Sequence, residues 1–117
     1  MNRTEIGPRG ERLAAAYLEW SGCEILARNV RVADVELDIV ARDADWLVVA
    51  EVKVRTSQRE TAADALRPTQ RRRLGRAARA LLARSAWAEG VRIDVVGIDV
   101  RDGEVRLQHW RGIAADD

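Results

Sequence analysis

The sequence predicts a single α/β domain of element order αβββαββ, with a mixed sheet flanked by helices. Three observations carry that prediction. Two stretches place apolar residues at helical spacing. Five others read as strands, most of them alternating in polarity with a period of two. The second helical stretch separates two strands, as a crossover connection does. With 117 residues, 47% of them apolar, the chain supports one core and not two. The expected domain spans 1–117, with its core over about 7–110 and a frayed tail at 111–117.

Each element has its own signal. Gly7-Pro8-Arg9-Gly10 opens the first, and Leu13, Ala14, Tyr17 and Leu18 then follow a helical period. Gly22 ends the pattern, so a helix is expected over about 8–21. Glu24 to Val32 reads as a short strand broken at Asn29. Val35 to Arg42 alternates, which places Leu37 and Ile39 on one face and Glu36 and Asp38 on the other. Asp43-Ala44-Asp45 is the turn. Trp46 to Arg55 is a second alternating strand, with Val48, Ala50, Val52 and Val54 opposite Val49, Glu51, Lys53 and Arg55. Thr56 to Asp64 is a polar loop. Pro68 suits the first turn of a long helix, where its missing N–H costs nothing. Leu74, Ala77, Ala78, Leu81 and Leu82 form that helix's core stripe. Val91 to Val100 is a strand, Asp102-Gly103 a hairpin turn, and Glu104 to Trp110 the closing strand.

Composition removes several classes of function. The chain has one cysteine, Cys23, which excludes an internal disulfide and suits a reducing cytoplasm. It has one histidine, His109, which removes multi-histidine zinc sites and leaves little room for histidine-based hydrolysis. The opening Met-Asn-Arg-Thr-Glu is polar and unlike a secretory signal. The longest apolar run, Leu13 to Leu18, is too short to span a bilayer, so no membrane is expected. The net charge of +1 is uninformative as a sum, but its distribution is not. Between Leu66 and Ser85 stand Arg67, Arg71, Arg72, Arg73, Arg76, Arg79 and Arg84, with no acid. That stripe reads either as a phosphate-binding face or as a solvated helix face.

One lysine occurs among the 20 lysine and arginine residues, and it closes the triplet Glu51-Val52-Lys53. Lysine is a compact point charge and arginine a wide fork, so the choice at position 53 points to a need for an ammonium. If the turn centres on Ala44 and Asp45, paired residue numbers sum to about 89. Asp38 then lies opposite Glu51, and Glu36 opposite Lys53. Like charges directly opposite destabilise a sheet. A hard divalent cation such as Mg²⁺, or Mn²⁺ in its place, would offset the repulsion by taking both carboxylates. Lys53 would then steady a phosphate oxygen or the attacking water. The competing reading is a slipped register in which these groups are merely solvated. Glu11 on the first helix is a third candidate carboxylate, though an acid at a helix start is favoured by the dipole alone. Gln70 shares the inward face of the arginine helix and is placed with the same set.

Gly10-Glu11-Arg12-Leu13-Ala14, Val35 to Ala41, Glu51 to Arg55, Pro68 to Leu74 and Arg92 to Val96 occur in that order. Together they resemble the small bacterial family UPF0102, the YraN-like proteins, over residues 7 to 100. That resemblance implies a restriction-endonuclease-like core close to archaeal Holliday-junction resolvases. It also implies a catalytic set at Glu11, Asp38, Glu51 and Lys53. Family members usually carry Gly before the Glu-x-Asp of the second strand; here Val35 stands there, which removes no proposed ligand.

Two functions follow as expectations. One is a Mg²⁺-dependent DNA endonuclease, acting on branched or repair DNA, with Asp38, Glu51 and Glu11 at the metal. In that reading Arg71, Arg72, Arg73, Arg76 and Arg79 lie on phosphates. Cutting a junction needs two sites, hence a homodimer. The other is a catalytically silent nuclease-fold module that binds nucleic acid or a protein partner.

Overall fold

The computed structural model describes residues 3–55 and 66–113, with side chains from residue 7 onward. The elements follow in the expected order: α1 (Arg3–Trp20), β1 (Glu24–Val32), β2 (Val35–Asp43), β3 (Trp46–Arg55), α2 (Pro68–Ala83), β4 (Gly90–Arg101) and β5 (Glu104–Trp110). The expected loop at 56–64 and the end of the tail, 114–117, lie outside the described residues. The strands form one sheet of order β1-β2-β3-β4-β5. Only β3 and β4 run parallel, because α2 carries the chain between them.

α1 begins earlier than the sequence predicts and takes Pro8 into its body. The ring removes one backbone donor in the second turn, so α1 forgoes one helix hydrogen bond there. Pro68 sits at the N-terminus of α2, as its missing N–H favours. The β2–β3 turn is Ala44–Asp45, with Asp43 paired to Trp46. The pairing continues through Ile39 and Ala50 in the expected register.

The sheet carries apolar packing on both faces. On one, Leu74, Ala77 and Ala78 of α2 join Leu37, Val40, Leu47, Val49 and Val95. On the other, Ala14, Ala15 and Leu18 of α1 join Ile39, Ala41, Val48, Ala50, Val96 and Ile98. The expectation that Leu37 and Ile39 share a face is therefore wrong, since they enter opposite cores. Asn29 has φ 51°, and the β1–β2 pairing passes from Arg28–Ile39 to Val30–Leu37. The irregularity at Asn29 and Asp38 breaks the alternation in both strands.

Gly10 fixes how closely α1 lies on the sheet. A Cβ there would collide with Cγ2 of Val54, so only glycine allows this approach without a shift. The expected frayed tail also needs correction at its start. Gly112 donates its N–H to Asp94 Oδ1 at 3.0 Å, and Ile113 donates to the Ile93 carbonyl at 2.7 Å. Gly112 turns the chain with φ 67° to make these bonds.

Candidate active site

β3 is buried from Leu47 to Glu51 and then turns polar at Lys53. Over the same stretch β2 parts from it. Beyond Ile39–Ala50 the ladder gives way, and the Val52 N–H donates to Asp38 Oδ2 at 2.9 Å. A side-chain carboxylate thus takes a bond that a strand carbonyl would otherwise accept. Asp38 is brought beside Glu51 in this way, just past the end of the β2–β3 ladder rather than by simple cross-strand pairing.

Gln70 joins the set from α2. Its Nε2 donates to Glu51 Oε1 at 3.1 Å, and its Oε1 accepts from Lys53 Nζ at 3.2 Å. Lys53 Nζ lies 3.8 Å from the same Glu51 oxygen. The amide therefore bridges the acid and the base and fixes the lysine head group against the carboxylate. Both side chains are largely buried, at 12% and 21% exposure for Glu51 and Lys53.

Burial pushes the Glu51 carboxyl up to about 8, and the neighbouring Asp38 charge adds to the rise while Lys53 opposes it. Burial also raises Asp38, against the lowering effect of the Val52 N–H. Glu11 lies near enough for its charge to raise both. The two carboxyls titrate as a pair. Among the described residues, no group of three or more His, Cys, Asp or Glu side chains is set to hold a metal ion. Asp38 and Glu51 form a two-carboxylate set without soft ligands. Their crowding fits a hard cation that keeps several waters of its own.

Glu36 is not opposite Lys53. It is paired with Arg31 of β1 and lies beyond Ile39–Ala50, where the β2–β3 ladder ends. It lines a cleft of about 280 Å³ together with Arg31, Asp34, Val35, Glu51, Gln70, Arg73 and Leu74. Of the five candidate phosphate-binding arginines, Arg73 alone reaches this cleft. Arg71 is only partly exposed, and its Nε donates to the Leu66 carbonyl at 3.2 Å. Arg72 and Arg76 are exposed. Arg79 borders a separate cavity with Arg92, Ile93 and Gly112.

Sequence reading missed two features. Arg31 and Asp34 line the cleft from the β1–β2 hairpin, and Asn29, with φ 51°, is the one sign in β1 that its regular path is broken. The second is a buried polar chain on the α1 face. Asp94, fully buried, takes Arg92 Nε at 3.1 Å and His109 Nε2 at 2.7 Å. The Tyr17 hydroxyl lies 3.0 Å from His109 Nδ1, and Arg92 reaches on to Asp43 at 2.8 Å. Hydrogen bonds from His109, Gly112 and Arg92 hold the Asp94 carboxyl below its ordinary value despite burial. An ionised carboxylate only accepts, so His109 directs an Nε2 proton at Asp94 while its Nδ1 pairs with the Tyr17 hydroxyl. With both ring nitrogens engaged, His109 is a structural tie.

Fold and site together define a small α/β domain with a carboxylate–lysine centre at a break in its sheet. Residues 10–98 match the model of UPF0102, described as an uncharacterised protein family. The chain is 45% identical to a UPF0102 protein of Beutenbergia cavernae, covering 92% of this chain and 94% of that one. It is 44% identical to one of Mycolicibacterium vanbaalenii, covering 97% and 96%. The chain belongs to the UPF0102 family. Among the described residues, no helix is long and apolar enough to cross a membrane.

Proposed function

We propose that this protein is a divalent-cation-dependent endonuclease that hydrolyses phosphodiester bonds in DNA. One observation supports the reading above others: Gln70 binds Glu51 and Lys53 at once, beside the Asp38 carboxyl. Such a constellation has little structural purpose, since it crowds two acids and holds a lysine half-buried. Replacing buried ion pairs by apolar residues is often neutral or stabilising. Asp38 and Glu51 would hold the cation, which when bound supplies charge neutralisation at the phosphate and acidifies water.

The chain's own groups do the rest. Lys53 Nζ has donors beyond its Gln70 bond and can direct one at the attacking water or at a phosphate oxygen. Gln70 keeps that ammonium from collapsing onto Glu51. Water attacks phosphorus, the bond to the leaving oxygen breaks, and the proton lost by water is matched by one gained at the leaving group. Branched DNA is the substrate class this reading favours, acting through a homodimer with two sites.

The test is a cleavage panel of junction, flap, nicked and linear DNAs with Mg²⁺ or Mn²⁺, and with chelator as control. Cation-dependent cutting that is lost in Asp38→Ala and Glu51→Ala is the expected result. A pure wild type that cuts nothing under any condition refutes it. Salt-dependent DNA binding in that case would favour the silent module.

A further inference from the structure

The cleft beside Glu51 has two walls of different origin. One is the tip of the β1–β2 hairpin, with Arg31, Asp34 and Glu36; the other is α2, with Gln70 and Arg73. We propose that Arg31 and Arg73 grip the DNA backbone from opposite walls. The hairpin tip is then a DNA-contacting element that lays one strand across Glu51. The inference rests on the nuclease reading and adds a contact outside the arginine helix.

Three observations carry it. Arg31 is exposed, and its Nη1 donates to the Asp34 carbonyl over a long 3.3 Å. Most of its guanidinium fork is therefore available to phosphate oxygens. The hairpin tip is also a tight turn that sets Arg31 beside the cleft. Val32 pairs directly with Val35, and Ala33 and Asp34 both adopt positive φ, 50° and 62°, as a tight two-residue turn requires. Finally, the cleft of about 280 Å³ lies between the two arginines and has Glu51 in its lining, so a phosphate held there sits beside the candidate site.

Asp34 and Glu36 share the hairpin wall and oppose an anion there. They confine a phosphate to the line between the two arginines. They also give the proposal a signed test, because removing Glu36 should act opposite to removing Arg31.

The experiment is DNA binding by fluorescence anisotropy in chelator, where no cutting occurs, as a function of salt. Arg31→Gln and Arg73→Gln should each weaken binding and lower the salt slope by about 0.7–0.9, the value of one phosphate contact. Glu36→Gln should tighten binding. All three positions are exposed, and circular dichroism checks that each variant folds. If Arg31→Gln leaves affinity and slope unchanged while Arg73→Gln lowers them, the two-walled grip is wrong and the nuclease reading stands. If the wild type shows no salt-dependent binding to any DNA, both fall together.

Discussion

Glu51→Gln removes the charge that the fold tolerates least. The Glu51 carboxyl moves from an ordinary 4.5 to about 8 in the folded protein, through burial first and the Asp38 charge second. A carboxyl with a raised folded pKa favours the folded state while protonated. Its contribution is complete below about pH 4.5 and is lost as pH rises through about 8. At about 1.4 kcal/mol per pH unit, the full rise corresponds to at most about 5 kcal/mol. Titration shared with Asp38 lowers the expected effect to about 3 kcal/mol. Glutamine keeps the shape and can still accept from Gln70. In chelator, urea denaturation at pH 5 should therefore give similar stabilities for wild type and Glu51→Gln. At pH 8.5 the variant should be the more stable by about 3 kcal/mol. A stability difference that is the same at both pH values would refute the assignment of a strained, buried Glu51.

Cation binding should show the opposite dependence, because both carboxyls must be ionised. Mn²⁺ affinity by isothermal titration should rise from pH 6 to pH 8.5 and vanish in Asp38→Ala; a flat profile would place the cation elsewhere. Lys53→Arg keeps the charge but replaces the head group that Gln70 Oε1 holds. Single-turnover cleavage should fall by about 100-fold with DNA affinity little changed, and a wild-type rate would reduce position 53 to a simple positive charge. Asp94→Ala leaves Arg92 and His109 facing an empty buried site, and thermal or urea unfolding should record a loss of about 3–5 kcal/mol. A loss below about 1 kcal/mol would mean the network is relieved by water. Gly10→Ala forces α1 away from Val54, so it should weaken cleavage by shifting Glu11 even though alanine is the better helix former.

The order of elements was legible because most of the apolar periods are unbroken. Trp46 to Arg55 alternates without interruption, and the structure keeps its parity throughout. Val35 to Arg42 alternates equally well in sequence, yet Leu37 and Ile39 part company. A break in alternation leaves no mark in a hydrophobic pattern when both faces of the sheet are buried, since an apolar residue satisfies either side. The fold brings Asp38, Glu51, Lys53 and Gln70 together, as their places on two strands and a helix face led one to expect. Glu36 was misplaced for the same reason as Leu37 and Ile39. The Asp94 network was not legible in the sequence, because it links Asp94 to His109 across 15 residues and His109 to Tyr17 across 92. Contacts of that range depend on the sheet order and not on local pattern.

The bond from the Val52 amide to Asp38 has a use beyond architecture. A backbone proton held by a carboxylate senses that carboxylate's charge directly. The nuclear magnetic resonance of this one amide should move when Asp38 gains a proton, and its exchange with solvent should quicken as the bond weakens. Val52 thus offers a spectroscopic window on the site in the resting protein, with no substrate, no turnover and no label beyond nitrogen-15.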